Sequence, residues 1–198
     1  MSNSLFGQGF DPKESKGGSP QLPSGGYVCR IMSAKMQNAL SSGLPMVVVA
    51  FDICEGEYAN YYHKKWDNAK NYSPDAKYGG VARIPAVDAQ GKARKGFNSF
   101  CGAVEASNDC KLPQDDELFL TSLKGKYVGI IFGREEFEAR DGRVMWTTKP
   151  RFYRSVATIE SGDFDIPDDV PLEKSSYDAG FGNDVDSFAQ AESDLPFN

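Results

Sequence analysis

Cationic and aromatic side chains alternate in two short stretches of the sequence. Residues 61–66 read Tyr-Tyr-His-Lys-Lys-Trp, and residues 149–154 read Lys-Pro-Arg-Phe-Tyr-Arg. Grooves for single-stranded nucleic acid use this combination, because cations neutralise phosphates and rings stack on bases. The same alternation is also typical of ordinary strands with buried rings and solvated cations. If it serves nucleic acid, the expected phosphate contacts are Arg30, Lys64, Lys65, Lys149, Arg151 and Arg154, and the expected stacking rings are Tyr61, Trp66, Trp146, Phe152 and Tyr153.

The charge of the chain is divided unevenly between its two ends. The net charge of all 198 residues is −6, which by itself argues against a polyanionic partner. Residues 160–198, however, contain 11 of the 28 acidic residues and only one of the 22 basic ones, Lys174. Residues 1–159 therefore carry a net charge of +4, which is compatible with a nucleic-acid partner.

Other kinds of chemistry find little support in the sequence. There is one histidine, His63, and the four cysteines contain no C-x-x-C pair, so neither a zinc site nor a disulfide scaffold is expected. The sequence has no G-x-S-x-G elbow and no phosphate-binding loop of the G-x-x-x-x-G-K-[ST] type. Acidic clusters at residues 115–117 and 135–138 are expected to be solvated. We therefore predict a binding protein rather than an enzyme, with no cofactor and no metal.

The chain also lacks the signals of a membrane or exported protein. No stretch approaches the roughly 20 apolar residues that a membrane helix needs, and the first residues have no basic segment followed by an apolar one. We expect no membrane partner and a cytoplasmic location.

Short strands around one helix are expected to position the basic and aromatic residues. Alternating and β-branched runs predict strands at residues 27–36, 44–53, 58–66, 125–138 and 143–159. Apolar residues at helical spacing predict one helix at residues 97–106, and Asp141-Gly142 predicts a hairpin turn between the last two strands. The order indicates an all-β domain with one helix, a five-stranded Greek-key barrel of the OB type, with a small β-sandwich as the alternative.

Polar segments divide the chain around this domain. Residues 1–23 are predicted to be a flexible arm, residues 24–167 the barrel, and residues 168–198 a disordered acidic tail. A long loop at residues 67–95 interrupts the barrel and is expected to close over a bound strand, with a packed hairpin as the alternative. Its cationic and aromatic residues are Lys70, Tyr72, Lys77, Tyr78, Arg83, Lys92 and Arg94.

The end of the tail and several body motifs resemble one known family. The acidic tail finishes with Asp194, Leu195, Pro196 and Phe197 before Asn198. This is similar to the D-[IL]-P-F type tip of bacterial and phage single-stranded DNA-binding proteins. The body resembles the phage and mobile-element members in motifs at residues 22–27 (Leu-Pro-Ser-Gly-Gly-Tyr), 42–46 (Ser-Gly-Leu-Pro-Met), 51–53 (Phe-Asp-Ile), 96–97 (Gly-Phe), 123–126 (Leu-Lys-Gly-Lys) and 162–167 (Gly-Asp-Phe-Asp-Ile-Pro).

The resemblance implies an OB-fold protein that coats single-stranded DNA without sequence preference during replication, recombination and repair. It also implies that the tail tip recruits replication and recombination enzymes, and a homo-oligomer is compatible with it. In the bacterial family the phenylalanine is the terminal residue, whereas here Asn198 follows Phe197. Three alternatives remain at this point: a phage-encoded adaptor that recruits proteins without binding DNA, a nuclease or other enzyme with metal-dependent turnover, and a tail that only increases solubility.

Overall fold

The computed structural model describes residues 21–139 and 141–172 of the chain. The predicted tail tip, residues 194–197, and most of the predicted N-terminal arm lie outside these described residues. The elements in chain order are β1 (Gly25–Asn38), β2 (Pro45–Ile53), α1 (Tyr61–Lys70), β3 (Val81–Pro85), α2 (Lys95–Asn108), α3 (Asp116–Leu123), β4 (Tyr127–Glu138), β5 (Val144–Arg154) and α4 (Val156–Ser161).

The five strands form one antiparallel sheet in the order β3-β2-β1-β4-β5. The prediction of a mostly β, five-stranded architecture is therefore confirmed. β1 is the longest strand and lies at the centre, while β3 and β5 are the two edge strands. The register shifts at Ile31/Ser33, where β1 has an extra residue, and at Ile131/Phe132, where β5 has one. Bulges of this kind favour local bending of the strand that carries the extra residue. The described sheet is not closed, because β3 and β5 are not hydrogen-bonded to each other.

The prediction of a third strand at residues 58–66 is wrong, because this stretch begins helix α1. The buried carboxylate of Asp52 accepts hydrogen bonds from the backbone N–H groups of Tyr62 (3.0 Å) and His63 (2.9 Å). These donors have no partner inside the helix, so Asp52 stabilises its first turn. The third strand of the sheet is instead β3, which lies inside the segment predicted as a long loop.

The prediction of a single helix is also incomplete. The helix predicted at residues 97–106 is confirmed as α2, and the hairpin predicted at Asp141-Gly142 joins β4 to β5. Helices α3 and α4 were not predicted. The last strand ends at Arg154 because the Ser155 side chain accepts a hydrogen bond from Thr158 N and caps α4.

The core lies on one side of the sheet, beneath α1 and α2. Its largest buried side chains are Phe51 on β2, Phe100 on α2 and Phe132 on β4. The opposite side of β4 is covered by α4, and a Cβ atom at Gly129 would lie 2.4 Å from Ile159 Cγ1. Glycine at this position therefore allows α4 to lie directly on the sheet, immediately after β5.

After α4 the chain runs alongside the part of β4 beyond Phe132, where β1 no longer pairs with it. Val170 N donates to Arg134 O (3.0 Å), and Glu136 N donates to Val170 O (2.9 Å). The Arg134 guanidinium forms an ion pair with Asp169, which lowers the pKa of that carboxyl group. The first residues of the predicted acidic tail are thus packed against the β4–β5 hairpin.

Candidate nucleic-acid interface

A groove runs between the unpaired edges of β3 and β5, with α1 beside it. Its volume is about 760 Å³. Three cations from three different elements lie along it: Lys65 from α1, Arg83 from β3 and Lys149 from β5. We call this feature the edge groove. Because the cations come from separate elements, only the folded chain assembles this concentration of positive charge.

Three tyrosines form the floor of the edge groove. Tyr62 packs edge-on against Phe51 with ring centroids 5.4 Å apart, and Tyr153 packs in the same way on Phe100 at 5.2 Å. The Tyr78 hydroxyl donates a hydrogen bond to Phe51 O (3.0 Å). Burial raises the pKa of all three hydroxyl groups well above the ordinary value of tyrosine, so the floor stays uncharged.

The floor lies close to β2 because of a glycine. Phe51 N donates to Gly80 O (2.8 Å), and a Cβ atom at Gly80 would lie only 2.3 Å from Phe51 O. Any side chain at this position would push the segment between α1 and β3 away from β2 and into the edge groove. The lack of a side chain at Gly80 therefore allows the floor of the groove to pack directly against β2.

An acidic residue lies beside the cations of the β5 wall. Glu135 on β4 forms ion pairs with both Lys149 and Arg151, and Arg151 Nη2 lies 2.9 Å from Glu135 Oε2. Arg151 is the extra residue of the β-bulge, opposite no single residue of β4. Its Nη2 atom is buried, and its contact with Glu135 is an ion pair without the angular geometry of a hydrogen bond. Part of the positive charge of this wall is thus neutralised by Glu135.

The structure brings only some of the predicted contact residues together. Lys65, Lys149 and Tyr153 all line the edge groove. Tyr61 is packed among the aromatic residues at the edge of the core, and its hydroxyl accepts a hydrogen bond from Leu22 N (3.1 Å). Lys64 donates to Ala59 O (2.9 Å) on the surface of α1.

The remaining predicted rings, those of Trp66, Trp146 and Phe152, are not among the side chains that line the edge groove. Trp66 donates from Nε1 to Ala76 O (2.7 Å), and the Lys70 ammonium lies 3.5 Å from its ring centroid. Trp146 lies on the β4–β5 hairpin, with the Arg134 guanidinium 5.1 Å from its ring centroid.

Two further predicted residues share the end of β5. Phe152 is 48% exposed, and the Arg154 guanidinium lies 5.9 Å from the centroid of its ring. Arg30 is separated from all these residues, because it lines a different cavity next to β1.

Among the cationic and aromatic residues of the groove, three are missing from the site residues predicted from sequence: Tyr62, Tyr78 and Arg83. The sequence places Tyr62 on a strand with no assigned contact, and it places Tyr78 and Arg83 in a loop expected to close over DNA. The alternation of residues 81–84, with Ala82 and Ile84 buried, is a strand signal that could have located Arg83. The signal is weak because β3 has only five residues.

Comparison with known proteins adds no relative: no protein-family model matches the chain, and no curated protein matches it. Among the described residues, no helix is both long and apolar enough to cross a membrane. Nor do three or more His, Cys, Asp or Glu side chains come together at a possible metal site in residues 21–139 and 141–172. The chemistry of the edge groove is therefore the basis for assigning a function.

Proposed function

We propose that the chain is a single-stranded DNA-binding protein and that the edge groove holds the DNA backbone. The observation that carries the proposal is the set of three cations, Lys65, Arg83 and Lys149, along a groove with an uncharged floor. Cations at such positions contact successive phosphates without reading base sequence.

The strand order supports an OB-type barrel as the frame of this groove. In the order β3-β2-β1-β4-β5, pairing between β3 and β5 is the single step that would close the sheet. A partly open, five-stranded Greek-key barrel is the OB architecture, which commonly binds oligonucleotides. In the proposed barrel the edge groove is the open seam.

Base stacking is assigned to rings of β5 that keep exposed surface. Phe152 and the half-buried Trp146 both belong to β5, the strand that forms one wall. Stacking on such rings is worth about 1 to 3 kcal/mol per base and tolerates every base. Tyr153 would act from the floor of the groove, where its ring is held in a perpendicular contact with the ring of Phe100.

The wider role in replication, recombination and repair is proposed from the resemblance of the tail and body motifs. In this proposal the barrel coats single-stranded DNA, and Asp194, Leu195, Pro196 and Phe197 recruit partner enzymes. The apolar tip follows a long acidic stretch, which suits a small apolar pocket surrounded by cations on the partner.

Fluorescence titration with oligo-dT tests the proposal directly. We expect Lys65→Ala and Lys149→Ala each to weaken binding and to reduce the slope of log K against log salt by about 0.7, the value for one lost phosphate contact. The matched control is Lys111→Ala, which removes the same charge from an exposed residue just after α2. That end of α2 contacts Tyr127, six residues along β4 from Gly133, which is the residue paired with Lys149.

Two results would contradict the proposal. One is an affinity weaker than about 100 μM, the weak limit of ordinary non-specific binding. The other is binding in which the groove variants and the Lys111 control behave alike. The adaptor alternative predicts the first result.

A further inference from the structure

A second concave site lies on the other side of α1 from the edge groove. This cavity of about 580 Å³ is bounded by β1, the start of α1 and the turn that follows α3. Arg30, His63 and Lys124 line it, one from each of these elements. We call it the β1 cavity.

The position of Lys124 beside β1 is fixed by the backbone. Gly125 N donates to Ile31 O (2.8 Å), and Ile31 N donates to Lys126 O (2.8 Å). The turn after α3 is therefore tied to the bulged part of β1, next to Arg30. The two cations are thus held near each other by main-chain hydrogen bonds and not by a flexible loop.

The one carboxylate in the wall of the β1 cavity, that of Asp52, is bound by the backbone. Asp52 is 7% exposed and accepts hydrogen bonds from three backbone N–H groups, those of Ile53, Tyr62 and His63. Within the described part of the chain, neither Arg30 nor Lys124 forms an ion pair with it or with any other acid. The cavity therefore has two cations whose charge no described acid neutralises.

We propose that the β1 cavity binds a phosphoryl group. Only the assignment of DNA as the source of that group rests on the proposed function. A guanidinium, an ammonium and an imidazole arranged around one cavity suit a tetrahedral oxyanion with several acceptor oxygens. His63 Nε2 also lies 3.5 Å from Asp67 Oδ2, which orients the ring at the edge of the cavity.

Two sources of the phosphoryl group fit this geometry. A DNA strand leaving the edge groove beside Lys65 needs to cross only α1, about 10 Å wide, to reach His63. The exposed face of α1 carries Lys64 along this path. A free nucleotide or polyphosphate would use the same donors without any link to the edge groove.

In the first measurement, inorganic pyrophosphate is titrated into the full chain, and backbone amide NMR signals report the binding. We expect shifts at residues 30–33, 63 and 124–125, and at least a tenfold loss of pyrophosphate affinity in the Arg30→Ala/Lys124→Ala double variant. Both side chains are exposed, so the double variant should keep the wild-type fold. Lys111→Ala is again the charge-matched control and should bind pyrophosphate as the wild type does.

The second measurement identifies the source with two lengths of oligo-dT, about 6 and about 20 nucleotides, chosen around the site sizes of single OB domains. If DNA supplies the phosphate, the double variant binds the short oligonucleotide normally. With the long one, its salt slope is smaller by about 0.7 to 1.4. If a free phosphate compound is the ligand, the variant binds both lengths normally and only pyrophosphate binding is lost.

The outcome that overturns the inference is distinct from failure of the proposed function. The β1 cavity is not a phosphoryl site if pyrophosphate shifts none of its amides and the double variant binds both oligonucleotides as the wild type does. If instead no oligonucleotide binds but pyrophosphate still shifts these amides, the DNA-binding proposal fails and the phosphoryl site stands.

Discussion

Replacing Glu135 by glutamine should tighten the binding of single-stranded DNA. The Glu135 carboxylate forms ion pairs with Lys149, which lines the edge groove, and with Arg151 on the same strand. Without DNA, these two cations are therefore occupied by an acid of the protein itself. A bound phosphate has to compete with this carboxylate, and the substitution removes the competitor while keeping the shape of the side chain.

The magnitude follows from the exposure of the pairs. The three side chains are between 21% and 56% exposed, so each pair is treated as a solvent-screened pair worth about 0.2 to 1 kcal/mol. Release of both cations to DNA then corresponds to about two- to thirtyfold tighter binding. The salt slope should become steeper by up to about 1.4, since each additional phosphate contact on a single strand contributes about 0.7.

The assay is a titration of oligo-dT at about 50 and about 200 mM salt, where electrostatic differences are large. Glu138→Gln is the matched control, because it makes the same chemical change at an exposed position of the same strand. Equal affinities and equal salt slopes for the two variants would refute the assignment of Lys149 and Arg151 to phosphate contacts. Thermal unfolding of both variants checks that the comparison is made between folded proteins.

Three further outcomes are expected. Gly80→Ala should lower the free energy of unfolding by about 1 to 3 kcal/mol, because its Cβ atom would clash with Phe51 O. Gly102→Ala, in open space on α2, should raise the free energy of unfolding by about 0.5 to 1 kcal/mol. Urea denaturation measures both changes. Asp52→Asn should lower the free energy of unfolding by about 1 to 3 kcal/mol, because an amide cannot accept all three backbone hydrogen bonds. A wild-type midpoint in urea would contradict this expectation. Truncation after Leu172 removes most of the acidic tail and should tighten oligo-dT binding at low salt only, since the tail charge is screened as salt rises. An unchanged affinity would show that the tail does not compete with DNA.

Local sequence patterns determined most of the sheet. The runs that form β1 and β2 are long and rich in β-branched or alternating apolar residues, and β4 and β5 are joined at the predicted Asp141-Gly142 turn. Helix α2 was evident because Phe97, Phe100, Cys101 and Val104 repeat at helical spacing. In each case residues within about ten positions in sequence are enough to specify the element, because the spacing of apolar residues within the segment predicts its type.

The helix at residues 61–70 and the edge groove were decided only by tertiary structure. The aromatic residues at the start of this helix favour a strand locally, but Asp52 on β2 supplies the acceptors for the first N–H groups of the helix. The edge groove joins Lys65, Arg83 and Lys149, which are far apart in sequence and meet because β3 and β5 lie at opposite ends of the strand order. Such proximity depends on how the sheet bends and on which edges remain unpaired, and no local pattern of residues encodes either property.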